Sequence, residues 1–239
     1  SDALIEAVAA ANKNTIVVIH TGGPIVMPWL DKVSAVVMGW YPGQEDGAIT
    51  ASILFGDAEP GGRLPITFPK SEADLPTSTP EQYPGVDKVA KYSEGLEIGY
   101  RHNNANDIEP LFPFGFGLGY TTWSVDDLKV PKSAKSGDSV EVRIKVKNTG
   151  DREGSTVVQA YLDYPDAVGE PPGQLRAFQK VTLDPGQAKT VTMNIEKRGF
   201  SFWDTKSHGW KITPGKYKVL VGTSSQDTPL ESTVTIKGD

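Results

Sequence analysis

Two short runs, Thr15–His20 and Ala35–Met38, constrain this chain most, because each is a continuous apolar strand rather than an alternating one. Strands of that kind, separated by helical patterns, are what a parallel sheet covered on both faces requires. The flanking segments fit. Ala3–Ala11 places Leu4, Ile5, Val8 and Ala11 on one helical face, with Asp2 expected as the N-cap. A second helix follows Tyr41, with an acidic first turn (Glu45, Asp46), an apolar face from Ile49, Ile53 and Leu54, and Gly56 where a left-handed C-terminal residue belongs. Leu64, Ile66 and Phe68 alternate between Pro65 and Pro69, which marks an edge strand or an extended tail. Two strands, an edge segment and two helices cannot cover both faces of a parallel sheet. Ile16, Val17, Val18, Ile19, Val36 and Val37 would leave one side in water, costing several kcal/mol at ~25 cal/mol per Å² over a few hundred Å². The pattern therefore predicts covering polypeptide upstream.

The organisation changes near residue 120. Residues 71–112 form a long stretch rich in Pro, Asp and Asn, with one short strand signal over Leu96–Arg101; loops this long are usually functional or packed on a neighbour. From Trp123 onward the pattern is all-β. Val140, Val142, Ile144 and Val146 alternate with Glu141, Arg143, Lys145 and Lys147, which puts one face in a core and one in water. Turn signals at Asn148–Asp151, Asp184–Gly186 and Pro214–Lys216 separate about seven runs at the spacing of a two-sheet sandwich.

The 239 residues suffice for one or two domains. A net charge of −6, with 24 basic residues scattered among 30 acidic ones, argues against nucleic acid or anionic lipid as a partner. The absence of cysteine removes disulfides and thiolate metal sites without deciding the compartment. No apolar run approaches the ~20 residues of a membrane span. The sequence opens with neither a Met nor a signal-peptide core, so Ser1 is not expected to be the natural start of translation. Composition fits a secreted or periplasmic protein.

Four motifs carry a family resemblance: Trp40-Tyr41-Pro42-Gly43-Gln44-Glu45-Asp46-Gly47, Gly56-Asp57-Ala58-Glu59-Pro60-Gly61-Gly62-Arg63-Leu64-Pro65, Tyr92–Arg101 and Pro113–Thr121. The chain resembles the C-terminal portion of the family 3 glycoside hydrolases, β-glucosidase type. The resemblance implies the fold class α/β plus all-β. Residues 1–118, including a linker segment 71–118, would be the C-terminal part of an α/β sandwich domain, and residues 119–239 a fibronectin type III-like β-sandwich. In that family an N-terminal barrel supplies the carboxylate nucleophile, and the acid/base Glu lies on a loop shortly before the helix matching Ala3–Ala11. Both would lie upstream of Ser1, leaving no catalytic residue here. The partner implied is the N-terminal part of the same enzyme, namely the barrel and the start of the sandwich domain. A β-glucoside would bind only to the complete enzyme, which retains configuration without a cofactor or metal.

Retaining glycosidases need two carboxylates about 5 Å apart. Glu45 with Asp46 reads as a helix first turn and Asp57 with Glu59 as solvated acids in a Gly/Pro turn; Glu94 with Glu97 flanks a strand signal near the expected mouth of the site. His20, His102 and His208 lack metal or triad spacing, and His20 reads as a packed core residue closing a strand. Thr21–Pro24 lacks a full phosphate-loop pattern, and Phe114–Gly119 precedes strand rather than helix. Trp40 and Tyr41 stand at the end of a parallel strand, where ligands of open α/β sheets gather. Candidate substrate-binding residues are therefore Trp40, Tyr41 and Glu94. The aromatics of Phe200–Asp204 with Trp210 read as packing or as an exposed carbohydrate platform. The alternative to the enzyme reading is a stand-alone carbohydrate-binding or adhesion module.

Overall fold

The structure is a computed structural model and describes residues 1–238. Its first part runs α1 (Asp2–Ala11), β1 (Ile16–Ile19), β2 (Ala35–Met38) and α2 (Asp46–Leu54). The strands β1 and β2 pair in parallel, Ile16 opposite Ala35 through Ile19 opposite Met38. Side chains alternate across this sheet, and the two faces have different fates. Val17, Ile19, Val36 and Met38 join a core built on Met27, Trp29 and Phe68. Ile16, Val18, Ala35 and Val37 do not, and Ile16 is 47% exposed. Leu4 and Val8 of α1 are exposed as well, and α2 has no buried residue at all. The open face anticipated from the strand composition is thus present.

Asp2 is not the N-cap. Ser1 occupies that position without a side-chain hydrogen bond, its carbonyl accepting from Leu4 and Ile5. The Asp2 carboxylate is used elsewhere: its Oδ1 accepts the indole N–H of Trp29 at 3.0 Å. Gly56 closes α2 with φ +81, and its N–H bonds the Ile53 carbonyl, as the left-handed cap requires. Leu64–Phe68 forms an extended tail rather than a strand, bridging at Phe68 to Phe112.

The strand signal at Leu96–Arg101 is overturned. Gly99 takes φ +57 and breaks the extended run, and Tyr100–Ala105 forms a short helix, α3. Tertiary packing supplies the reason. The Tyr100 ring stacks on Phe114 at 4.8 Å and meets Tyr161 edge-on at 5.9 Å, while its hydroxyl accepts the Leu175 N–H at 2.9 Å.

The second part is a β-sandwich. Its strands are β3 (Trp123–Lys129), β4 (Ser133–Lys135), β5 (Val140–Asn148), β6 (Gly154–Asp163), β7 (Gln174–Leu183), β8 (Ala188–Ile195), β9 (Ser201–Asp204), β10 (Gly209–Ile212), β11 (Gly215–Gly222) and β12 (Leu230–Lys237). One sheet has the order β4-β12-β11-β6-β7 and the facing sheet β3-β5-β8. The alternation in β5 becomes packing, with Val140, Val142, Ile144 and Val146 buried against Val158, Leu162, Tyr217 and Val234. Asn148 ends β5 fully buried with its amide saturated. Its Oδ1 accepts from Thr121 Oγ1 and Gly150 N, and its Nδ2 donates to the carbonyls of Arg152 and Leu183.

The loop after α2 ties the two parts together. Glu59 Oε2 accepts the Ser155 N–H at 3.0 Å, and Arg63 Nη2 donates to the buried Thr156 hydroxyl at 2.8 Å. Arg152 Nη2 donates to the Gly56 carbonyl and the Tyr120 hydroxyl to the Ile53 carbonyl. Buried Gln159 bridges the Gly115 and Thr223 carbonyls.

Candidate functional site

The carboxyl ends of β1 and β2 meet above a tight turn. The Gly39 N–H bonds the Ile19 carbonyl at 2.8 Å and carries the ladder one residue past β2. The His20 ring then lies directly over Gly39, where a Cβ would stand 2.6 Å from His20 Cδ2. Trp40 follows with φ +53, a left-handed backbone rare for a bulky residue and a mark of a constrained site. This turn sends its indole inward, edge-on to Phe68 at 6.2 Å, and throws Tyr41 outward to 82% exposure. The Tyr41 hydroxyl arches back over Gly22, so that a side chain there would displace the phenol.

His20 corrects its sequence reading. It is exposed, and its Nε2 lies 3.2 Å from Asp46 Oδ1 at the start of α2; that oxygen also accepts the Thr50 hydroxyl at 3.0 Å. The sequence separation of strand end and helix start hid this pairing, since neither residue has a local motif pointing to the other. The arrangement gives a rim of imidazole, carboxylate and phenol at the end of the sheet where open α/β sheets take ligands.

Glu94 stands apart. It is half-buried, its Oε2 is enclosed without a hydrogen-bond partner, and among the described residues no hydrogen bond or ion pair joins it to Trp40 or Tyr41. The structure thus brings Trp40 and Tyr41 together with His20 and Asp46, and leaves Glu94 in the separate turn before α3. The neighbouring Glu97 accepts from Asn106 Nδ2 at 2.9 Å.

Two of the remaining candidate acids are engaged structurally. Asp46 holds His20, and Glu59, read from sequence as a solvated turn acid, is half-buried with Oε1 enclosed and Oε2 bonded to Ser155. Burial lowers the Arg63 guanidinium pKa, and the Glu59 charge works against that shift. The aromatics of the Phe114–Gly119 stretch pack at the junction, Phe112 stacking on Phe116 at 5.3 Å. Among the described residues no group of three or more His, Cys, Asp or Glu is arranged to hold a metal. No helix there is long and apolar enough to cross a membrane.

Residues 1–120 match the glycosyl hydrolase family 3 C-terminal domain, and residues 156–225 a fibronectin type III-like domain. The chain belongs to glycoside hydrolase family 3. Among its family 3 relatives, a β-glucosidase of Rhizobium radiobacter is 48% identical over 94% of this chain, which spans 28% of that protein. The thermostable β-glucosidase B of Acetivibrio thermocellus is 41% identical over 98% of the chain, which spans 31% of it. DesR, a β-glucosidase from Streptomyces venezuelae whose crystal structure holds D-glucose, superposes with a TM-score of 0.93 at 41% identity, over 99% of this chain and 30% of that one. This family 3 chain therefore spans about a third of the length of such relatives.

Proposed function

We propose that this chain is the non-catalytic C-terminal portion of a retaining β-glucosidase-type glycoside hydrolase. It completes and braces the domain that presents the acid/base loop. The observation that carries the reading is the uncovered sheet face, Ile16, Val18, Ala35 and Val37, together with exposed Leu4 and Val8. Apolar surface of this kind on a parallel sheet is stable only under a further layer. In the proposal the preceding part of the enzyme provides that layer and both catalytic carboxylates, so the chain alone has no turnover and needs no cofactor.

The bracing has a physical route. The acid/base loop would enter α1 at its first residues, where Asp2 is hydrogen-bonded to buried Trp29 and Glu6 is paired with Lys32. A catalytic acid must be held to a fraction of an ångström, and an entry point tied to the core does this better than a frayed helix start. Tyr41, with Trp40 beneath it, and the enclosed Glu94 oxygen would complete the wall of the sugar site when the missing portion is seated. We assign residues 1–118 to the sandwich domain with its linker and 119–239 to the fibronectin type III-like domain, in a secreted or periplasmic enzyme.

The test is co-expression of this chain with the preceding portion of its encoded protein, followed by assay on an aryl β-glucoside. The reading requires a co-purifying pair that hydrolyses the substrate and no hydrolysis by the chain alone. A folded pair without activity defeats it.

A further inference from the structure

Within the strands of the β-sandwich, the large hydrophobic side chains exposed among the described residues are Phe178, Trp203 and Trp210. Two of these three stand on one ribbon. The strands β9 and β10 pair only with each other, outside both main sheets, and place Trp203 directly opposite Trp210. Isolated two-stranded ribbons are marginal in water, and a cross-strand aromatic pair helps to hold one. That role accounts for contact between the rings. It does not account for their exposure, 47% for Trp203 and 52% for Trp210.

The ring geometry leaves a free surface. The two indoles meet edge-to-face at 5.5 Å and 71°, and the Arg198 guanidinium lies over Trp210 at 4.2 Å. If Trp203 presents its edge, both its own faces lack an aromatic or cationic partner. If Trp210 presents its edge, its face opposite Arg198 lacks one. Either way one indole face is left without an aromatic or cationic partner, and both rings are about half exposed, on a ribbon rimmed by hydrogen-bonding groups. Asp204 is paired with Lys211 and accepts the Ser207 hydroxyl at 2.6 Å, and Lys206 and Ser207 are exposed in the connecting turn.

We propose that the Trp203–Trp210 ribbon is a stacking site for a pyranose ring of an oligosaccharide, separate from the Trp40 and Tyr41 site. The size of the patch selects this occupant. Half of the ~250 Å² that a tryptophan presents gives about 250 Å² for the pair, against ~800 Å² per partner in a stable protein interface. That area suits one or two sugar rings. A pyranose has a flat C–H face to lie on indole and a ring of hydroxyls to meet the Asp204, Ser207 and Lys206 rim. Arg198 already occupies the π-system of Trp210, which disfavours a cationic ligand. The inference does not rest on the bracing role, and either stands without the other.

The test is a titration of this chain with cellotetraose, read from the indole N–H signals of its five tryptophans in 15N correlation spectra, assigned by single Trp→Phe variants. Saturable displacement of the Trp203 and Trp210 signals is expected, with half-saturation on the order of 1 mM. Trp203→Phe, which keeps a ring and the ribbon, is expected to weaken binding roughly threefold, and Phe178→Ala to leave it unchanged. The proposal is overturned by no saturable displacement, by equal displacement by glycerol, or by displacement confined to Trp40. Loss of the two signals on phosphatidylglycerol vesicles but not with cellotetraose overturns it in favour of a lipid surface. Concentration-dependent broadening without sugar overturns it in favour of self-association.

Discussion

The Trp29 indole N–H, on a side chain only 1% exposed, donates to Asp2 Oδ1 at 3.0 Å and so fastens the start of α1 to the core beneath β1 and β2. Asp2→Ala leaves a buried donor without its acceptor, at a cost of about 1–3 kcal/mol. In a reassembled enzyme the same change is expected to lower kcat more than it raises KM, because the loop entering α1 loses its anchor. Urea unfolding of the variant and steady-state kinetics of the pair check both halves; unchanged kcat would remove the proposed bracing route.

The open sheet face separates folding of this chain from its assembly. Ile16→Lys places a charge on a side chain that is 47% exposed and outside the core, so the melting temperature of the chain alone is expected to change by no more than about 2 °C. Capture of the preceding portion of the enzyme is expected to fail. Pull-down with tagged chain decides it, and retained capture would mean that this face is not the covered one.

Alkaline unfolding should follow Tyr164. Burial pushes its phenol from 10.0 up to about 12, with Arg176 opposing the shift, and the hydroxyl donates to the Gly199 carbonyl at 2.5 Å. The folded state therefore holds the proton more tightly than the unfolded chain. The stabilisation is complete below pH 10 and is lost as pH rises toward 12. Tyr161 shifts in the same direction through burial and adds to the loss. Circular dichroism between pH 9 and 12 is expected to show unfolding that Tyr164→Phe, which has no proton to lose, makes shallower; an identical profile for the variant would count against the assignment.

Arg63 measures the strength of the junction. Its guanidinium bonds a Thr156 hydroxyl that is fully buried, so Arg63→Ala should cost about 2 kcal/mol. The loss falls between the parts rather than inside either, and calorimetry is expected to resolve one transition into two. A single transition at lower temperature would place the energy inside one part instead.

Much of this architecture is legible in the residues, for reasons that differ along the chain. The alternation from Val140 to Val146 is a local pattern, and it becomes a buried stripe because each apolar side chain faces the second sheet. The unbroken apolar runs of β1 and β2 announced their need for two covering layers by composition alone. What depends on distant contacts was not legible. The strand signal at Leu96–Arg101 gives way to α3 because Tyr100 finds Phe114, Tyr161 and Leu175 on other elements. His20 read as core because it closes an apolar strand, yet it meets Asp46 across the end of the sheet. Of the candidate site, the turn at Trp40 and Tyr41 could be found from its place after a parallel strand, whereas nothing local separated Glu59 at the junction from an ordinary turn acid.

The Glu59 carboxylate lies so close to two backbones that a Cβ on Gly119 would fall 2.1 Å from its Oε1, and one on Gly154 2.8 Å from the same atom. Glu59 and Gly119 therefore form one unit of inheritance: the glycine cannot accept a methyl group while the acid remains, and a lineage that trades Glu59 for a small residue releases it, whereas Gly154 stays closed by Thr121, whose Cγ2 would lie 2.6 Å from a Cβ there. In an alignment of family members the columns of Glu59 and Gly119 should drift together, and a chimera joining the first part of one homologue to the sandwich of another should fail wherever the donors disagree at them.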